Sequence, residues 1–403
     1  MTSSTLPSMP VERTTLFDPP QEYTALREEH PVTKVRFPNG STGWLVSRFE
    51  EGSEVFAHPK MSARRPRHDT PEGEVAEAGN DAPFNPTFVM MDEPDHSQYR
   101  RLLSGRFTPK SIAKNLQPYL DRIVDEHLDA IEKGPKVFDF VEALSLPIPC
   151  LVICELLGVP YADRDGFHSA TEQMMDLANS REERDKGAHW LIDYITRLVA
   201  EKRRTGVQDG ILAELIATAD DEGSFLKDDE VIGMGVLLLF AGHDTTASML
   251  GLSTLTLLTH PEQRRDLEEH PEKIGPAVEE LLRYLTIVQF GLGRVALEDV
   301  EIGGQQIAAG DLVVVAMPAA NRDPRAFDAP DAPDFDRKMT RHLAFGYGVH
   351  QCLGQNVARA ELKTVLPRLF ERFPNLHLAV APEEVPMDSL GTNYAVKKLM
   401  LRR

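Results

Sequence analysis

The stretch Phe345-Gly346-Tyr347-Gly348-Val349-His350-Gln351-Cys352-Leu353-Gly354 decides how this chain of 403 residues is interpreted. Two glycines at a spacing of two allow the backbone to turn sharply before the cysteine. Cys352 stands just before a strong helical pattern, Leu353–Phe370, so a thiolate there would face the positive end of a helix, which lowers its pKa. Gly354 leaves room for a large flat group against the backbone. This pattern predicts a preformed thiolate ligand for a soft metal, and a buried structural cysteine is the alternative.

The charge balance excludes two classes of partner. The chain has 44 basic and 63 acidic residues, a formal net charge of −19. We therefore expect no nucleic acid, whose phosphates bind Lys and Arg, and no adsorption to an anionic membrane. The most apolar stretch, Gly233–Gly242, is about half the ~20 residues that span a bilayer. Met1–Pro20 lacks the pattern of a signal peptide, and three cysteines make no disulfide framework, so we expect a cytoplasmic protein.

Helical patterns dominate the chain from Asp95 to His270. The segment from Lys227 to about Thr259 contains no proline and predicts one helix of about 33 residues, or ~50 Å. Short β-like pieces follow only late, at Val295–Ile302, Leu312–Met317 and Leu376–Val380. Since no linker separates independent parts, we predict a single domain over residues 1–403 that is mainly α with a minor β region.

The middle of the long helix reads Ala241-Gly242-His243-Asp244-Thr245-Thr246. Small residues permit the close approach of a cofactor, while glycine, an acid and two threonines cost helix propensity. Threonine hydroxyls can bond to backbone carbonyls and loosen the turn. A tolerated kink is the alternative to a functional site, and we interpret His243 as a surface or packing residue.

Two pairs of charged side chains share a helix face. Glu280 and Arg283 stand three residues apart and can form an ion pair, although pairs of this kind are common on surfaces. His96 and Arg100 stand four residues apart, so both can reach one anion. A solvated surface pair is the alternative for each.

The cysteine loop matches every fixed position of Phe-Gly-x-Gly-x-His-x-Cys-x-Gly and thereby resembles the haem-binding signature of the cytochrome P450 superfamily, in its soluble actinobacterial branch. The resemblance extends over almost the whole chain. It implies the cytochrome P450 fold, a triangular-prism helical domain with a long central helix and small sheets. It also implies haem b with Cys352 as the iron ligand, Phe345 shielding the thiolate and His350 approaching a haem propionate.

Other roles follow from the same resemblance. Thr245 would orient dioxygen and an associated water, and Asp244 would relay protons. Glu280 and Arg283 would be structural, behind the haem loop. The family often adds a downstream arginine to that pair, but Pro330-Asp331-Ala332-Pro333 offers none, so the third partner is absent or comes from elsewhere. The further cofactor contacts would be His96, Arg100, Ala241, Gly242, Arg294 and Gly354.

The implied reaction is hydroxylation of a lipophilic small molecule, such as a polyketide or macrolide or a steroid-like or drug-like compound. The resemblance places mobile roof segments at Met61–Phe88 and Phe167–Trp190. Pocket residues would be Phe88, Leu238, Ile287, Val288 and Thr392. Epoxidation, phenol coupling or N-oxidation on the same fold is an alternative. A haem-based sensor or ligand carrier is another, which the acid–threonine pair disfavours because a sensor needs no proton relay.

Electrons have to come from a separate protein, because the chain shows no flavin domain and no cysteine-rich iron–sulfur segment. We expect a ferredoxin or flavodoxin with its reductase, acting on a monomer. One segment contains five basic residues and no acid, at Arg100, Arg101, Arg106, Lys110 and Lys114. An acidic carrier could be steered to this basic cluster, whereas a solvated helix end is the alternative.

Overall fold

The computed structural model describes residues 6–64, 88–175, 179–338, 341–389 and 391–403. Within these ranges the helices are α1 (Glu22–Glu29), α2 (Phe49–Ala57), α3 (Asp95–Ser104), α4 (Pro109–Ser111), α5 (Gln117–Lys133), α6 (Pro147–Leu157), α7 (Arg164–Met175), α8 (Arg181–Thr205), α9 (Gly210–Asp220), α10 (Asp228–Thr259), α11 (Pro261–Glu269), α12 (Ile274–Leu285), α13 (Met317–Ala320) and α14 (Gln355–Arg372). The strands are β1 (Val32–Arg36), β2 (Thr42–Val46), β3 (Met61–Ser62), β4 (Val137–Asp139), β5 (Leu292–Ala296), β6 (Val300–Ile302), β7 (Gln305–Ile307), β8 (Leu312–Val315), β9 (His377–Leu378), β10 (Met387–Asp388), β11 (Ala395–Val396) and β12 (Met400–Arg402). The predicted mainly α composition with a minor β part is confirmed.

The described residues divide into two compact units. The first, which we call the sheet unit, comprises residues 6–64, Val89–His96 and Glu279–Cys352. The second, the helical unit, comprises Phe88, Ser97–Val278 and Leu353–Arg403. The single domain over residues 1–403 stays a prediction.

The sheet unit is built on a five-stranded sheet in the order β1-β2-β8-β5-β3. The hairpin of β1 and β2 is antiparallel, and β8 adds to it in parallel. Successive side chains of a strand point to opposite faces. Accordingly Val313 and Val315 pack in one apolar cluster, while Val314 packs in another on the other face. The sheet is therefore covered by apolar side chains on both faces.

The helical unit is organised around α10, whose 32 residues begin at Asp228 with three acidic side chains in the first turn. The predicted long helix and its acidic start are confirmed. This helix packs against α6, α8, α9 and α14. Among the described residues, α10 is also the one helix long and apolar enough to cross a membrane, but 61% of its most apolar window is buried inside the protein. Such burial is typical of a core helix.

Two predicted strands have wrong bounds. The predicted strand Leu312–Met317 ends at Val315, because Met317 begins α13. The predicted strand Val295–Ile302 is two strands, because the chain turns after Ala296 and resumes pairing at Val300. The next strand, β7, was missed, although Gly303 and Gly304 both have positive φ and form the turn that joins it to β6. The expected roof segment Phe167–Trp190 consists largely of α7 and α8. The other roof segment lies mostly at residues 65–87, outside the described residues.

Candidate functional site

The cysteine loop is shaped by its backbone. Gly346 and Gly348 have φ values of +69° and +74°, which favour glycine. A Cβ at Gly348 would also lie 2.8 Å from the carbonyl oxygen of Phe56. The Cys352 N–H closes the loop by donating to the Phe345 carbonyl at 2.9 Å. The loop therefore presents an exposed Cys352 on a conformation that other residue types would strain.

Three predicted anion-binding residues belong to the same sheet unit as the loop. The rings of His96 and His350 are in contact, with their centroids 4.0 Å apart. Arg294 is buried on β5, with its guanidinium 5.3 Å from the ring centroid of Phe56. An accessible cysteine sulfur with imidazole and guanidinium donors in one unit is a donor set that fits a haem and its carboxylates.

Glu280 and Arg283 form a buried ion pair rather than a surface one. Both side chains are at most 1% exposed, and Arg283 donates to Glu280 through Nε and Nη2 at 2.8 Å each. Arg337 supplies the third partner, since its Nε lies 3.1 Å from both Glu280 oxygens. The sequence analysis looked for this arginine in Pro330-Asp331-Ala332-Pro333, which ends four residues before Arg337. The segment that contains it is Pro333-Asp334-Phe335-Asp336-Arg337.

This ion-pair cluster is connected to the base of the cysteine loop by Asn321. Arg283 Nη1 donates to the Asn321 carbonyl at 2.7 Å. The Asn321 side-chain oxygen accepts the Leu343 N–H at 2.8 Å, two residues before the loop begins at Phe345. The side-chain amide nitrogen of Asn321 donates to Thr286 Oγ1 at 2.8 Å. Both the oxygen and the nitrogen of the Asn321 side-chain amide therefore have a partner. Through its hydrogen bonds, Asn321 connects the ion-pair cluster with the base of the cysteine loop.

In the helical unit, the acid–threonine motif lies on an unbroken stretch of α10. Thr245 Oγ1 donates to the Ala241 carbonyl at 2.9 Å, and Ser248 donates to the Asp244 carbonyl at 2.8 Å. The side-chain amide of Asn393 donates to Asp244 Oδ2 at 2.9 Å. The expected bonds from hydroxyl groups to backbone carbonyls are present, and the helix accommodates them without a break.

Gly242 has a different neighbour from the one that sequence reasoning expected. A Cβ there would lie 2.7 Å from the side chain of Ile153, so the missing side chain lets α6 approach α10. The sequence analysis explained this glycine by the close approach of a cofactor. In the structure, the space beside its Cα is filled by Ile153 of α6 instead. Ala241 is exposed, Arg100 is half-buried on α3, and Gly354 precedes the first residue of α14. Their roles toward a cofactor stay predictions.

A cavity of about 220 Å³ lies beside Asp244 within the helical unit. Thr392 and Asn393 line it together with His243 and Thr171. His243 is only 1% exposed, so it is a packing residue rather than a surface residue. Thr392 is thus the predicted substrate residue that shares a cavity with the acid.

The other predicted pocket residues lie in the apolar core. Phe88, Leu238 and Ile287 are at most 8% exposed. Val288 is partly buried against one of the clusters of the sheet unit. Their apolar character agrees with the expectation of a lipophilic substrate, and their contact with it stays a prediction.

The basic cluster carries less positive charge than the sequence suggested. Arg106 pairs with Glu214 of α9, an acid that lies far away in the sequence. Arg101, Lys110 and Lys114 are exposed. The surface available to an acidic partner is therefore centred on these three side chains.

Sequence reasoning also missed a buried carboxyl group on α14. Glu361 is fully buried, and neither of its oxygens has a hydrogen-bond partner among the described residues. Burial raises the pKa of Glu361 well above its usual range. Burial therefore favours the neutral, protonated form of this side chain in the folded protein, and the helical pattern around it gave no signal of that.

Comparisons with known proteins agree on one family. A family model described as Cytochrome P450 matches residues 174–398. Cytochrome P450-SU2 of Streptomyces griseolus is 41% identical over 384 residues, which cover 95% of this chain and 93% of that protein. Pentalenic acid synthase of Streptomyces avermitilis is 40% identical, covering 94% and 93%. The solved structure of CYP105P1 in complex with filipin I has a TM-score of 0.90 at 38% identity and covers 98% of each chain.

Proposed function

Since the chain belongs to the cytochrome P450 family, whose members are haem-thiolate monooxygenases, we propose that it hydroxylates a macrolide-, polyketide- or terpenoid-like molecule. The predicted fold class and enzyme class are confirmed by the same membership. The cysteine loop is the observation that carries the proposal, because its glycine conformations present Cys352 for ligation. The proposed substrate class is supported by relatives whose names refer to pentalenic acid and filipin.

Cys352 is the proposed iron ligand, and His96, His350 and Arg294 are the proposed partners of the haem carboxylates. When bound, the haem supplies the activation of dioxygen, with one oxygen atom inserted into a C–H bond and the other released as water. Phe345 lies at the start of the loop, and its carbonyl holds the Cys352 N–H. The Glu280 cluster is proposed to keep the base of this loop in place.

Asp244 and Thr245 are the proposed proton-handling residues. The Thr245 hydroxyl donates its own proton to the Ala241 carbonyl, so its oxygen remains available as an acceptor for a water. One oxygen of Asp244 is held by the Asn393 amide, which fixes the orientation of the carboxylate. A fixed acid next to an accepting hydroxyl can deliver a proton at a defined point.

Family members receive their electrons from redox partners. We propose a ferredoxin as the partner of this chain, docking on Arg101, Lys110 and Lys114, because an acidic carrier would be steered to them. The proposal extends to a monomeric protein in the bacterial cytoplasm. The organisms of the named relatives support the bacterial setting.

The first experiment is a titration of the purified ferric protein with filipin I, other macrolides, steroids, terpenoids and aromatic drugs, observed at the haem Soret band. A shift from low to high spin identifies a substrate class that reaches the haem. Absence of haem from the purified protein would contradict the assignment of Cys352.

The second experiment uses the compound with the largest spin-state shift. Thr245→Ala is expected to divert most reducing equivalents from product to hydrogen peroxide, at least a tenfold loss of coupling. The matched control is Thr259→Ala, since Thr259 also donates to a carbonyl of the same helix at 2.8 Å. Full coupling in Thr245→Ala would refute the role given to Thr245.

A further inference from the structure

The cavity beside Asp244 is lined by four segments of the helical unit. Thr171 and His168 come from α7, and His243 and Asp244 come from α10. The segment before α6 and the C-terminal segment 388–397 contribute the rest of the lining. Its volume of about 220 Å³ exceeds several times the ~30 Å³ that one water occupies in the liquid. The cavity therefore has room for several water molecules next to the proposed proton carrier.

Two buried polar atoms of the cavity wall require a partner. His243 Nε2 and Thr171 Oγ1 have no hydrogen-bond partner among the described residues. The two residues are 1% and 2% exposed. Buried polar atoms in native proteins are nearly always hydrogen-bonded, to ordered water if not to protein. Because both residues line the cavity, water within it is the partner that their chemistry requires.

The protonation of His243 is determined by its backbone contact. His243 Nδ1 lies 3.0 Å from the Leu239 carbonyl, which can only accept, so Nδ1 carries the hydrogen. Burial lowers the pKa of His243, which keeps the ring neutral. Nε2 is consequently an acceptor that orients a water by its O–H. The Thr171 hydroxyl can both donate and accept, as a chain of water molecules requires.

We propose that this cavity holds a water chain that brings protons to Asp244, with His243 and Thr171 as its positioning residues. The inference rests on the proposed function, because the role of Asp244 as a proton carrier belongs to it. Each turnover consumes one dioxygen, two protons and two electrons and releases one water. Asp244 takes each proton from the chain and passes it on, so the carboxylate is regenerated and no further reactant is needed.

The outer end of the route lies toward His168. Its ring centroid is 5.8 Å from that of His243, and the side chain is half-buried. The titratable groups that face the cavity are His168 and Glu172 from α7, His243 and Asp244 from α10, and Asp388 and Lys397 from the C-terminal segment. His168 therefore connects the buried water positions with the solvent side of α7.

The test is a hydroxyl-to-methyl exchange that keeps the shape of the side chain. Thr171→Val is expected to lower the share of electrons recovered in product at least threefold, with a matching rise in hydrogen peroxide. Thr171→Ser, which retains the hydroxyl, is expected to restore coupling. Thr254→Val is the matched control, because Thr254 Oγ1 is buried on α10, lacks a partner among the described residues and does not line the cavity.

A second readout does not depend on turnover. If no water were bound to the Thr171 hydroxyl, its replacement by a methyl group would remove a buried group that lacks a hydrogen bond. The midpoint of urea unfolding of the haem-loaded protein would then rise. A hydroxyl that holds water gives no such rise, and this is the expected result. For Thr254→Val the midpoint is expected to rise. A Thr171→Val variant that is both fully coupled and more stable than the parent would overturn the water route.

The water route and the proposed function fail in distinguishable ways. Asp244→Asn is expected to uncouple the enzyme as strongly as Thr245→Ala. If Asp244→Asn keeps full coupling, the proposed role of Asp244 as a proton carrier is wrong, and the water route is refuted as well. If Asp244→Asn uncouples while Thr171→Val and His243→Phe both retain full coupling, the route alone is refuted.

Discussion

Glu280→Gln is expected to be among the most destabilising conservative changes in the chain. The carboxylate is buried between two guanidinium groups, with Arg283 fully buried and Arg337 8% exposed. It also accepts the Asp334 N–H at 3.0 Å. Glutamine keeps the size of the side chain but leaves both arginine charges uncompensated. Breaking a buried ion pair in this way costs about 3–5 kcal/mol in the free energy of unfolding.

The assay is urea unfolding of the haem-loaded protein, followed by far-ultraviolet circular dichroism and by the Soret band. With a slope of about 3 kcal/mol per molar urea, the expected loss lowers the midpoint by roughly 1–1.7 M. The Soret signal is expected to fall before the circular dichroism, because Asn321 connects Arg283 with the base of the cysteine loop.

Two further variants isolate the cause. Glu280→Gln combined with Arg337→Met removes one of the two uncompensated charges and is expected to recover part of the loss. Arg122→Met is the control, since Arg122 forms an exposed pair with Glu126 at 2.8 Å and its removal is expected to leave the midpoint unchanged. A Glu280→Gln midpoint within 0.3 M of the parent, or about 1 kcal/mol, would refute the reasoning.

Three other changes address separate parts of the molecule. The raised pKa of Glu361 means that the folded protein holds a proton that the unfolded chain releases, so folding weakens as pH rises above the ordinary carboxyl range. The stability of Glu361→Gln relative to the parent is therefore expected to increase with pH above that range, by at most ~1.4 kcal/mol per pH unit, and equal pH dependences in urea unfolding would contradict this. Gly348→Ala meets a backbone carbonyl at 2.8 Å and is expected to reduce haem content, measured by the pyridine haemochrome, to less than half. Lys110→Glu combined with Lys114→Glu is expected to slow ferredoxin-supported reduction at least fivefold at low salt and to flatten its salt dependence. The control Lys136→Glu, which lies beyond the far end of α5, is expected to change neither the rate nor its salt dependence. An unchanged rate in the double variant would exclude docking at these lysines.

Local sequence patterns were sufficient to predict those elements whose conformation depends mainly on their own residues. The long helix α10 follows from the periodicity of its own residues and from the absence of proline, so it was predictable. The cysteine loop was predictable because its glycines, histidine and cysteine serve positions that few other residues can fill.

Long-range partners were not predictable from local patterns. Arg337 pairs with Glu280 across 57 positions of sequence, and helical spacing gives no information about a partner at that separation. The pairing of Arg106 with Glu214 likewise reduced a surface charge that the sequence alone counted in full. The reason for Gly242 was misjudged because a small residue leaves space without indicating what fills it.

The discontinuity of the sheet unit has a consequence for biosynthesis. The unit is assembled from residues 6–64, Val89–His96 and Glu279–Cys352, so its first strands leave the ribosome long before their partners β5 and β8 exist. The helical unit begins and largely continues between these segments, and it can gain structure while synthesis proceeds. Gly348 of the cysteine loop lies against the carbonyl of Phe56, which is synthesised long before the loop. The packing of the cysteine loop in the sheet unit therefore cannot be completed before residues 345–352 have been made, and slowing the ribosome upstream of residue 279 would prolong the exposure of an incomplete sheet edge.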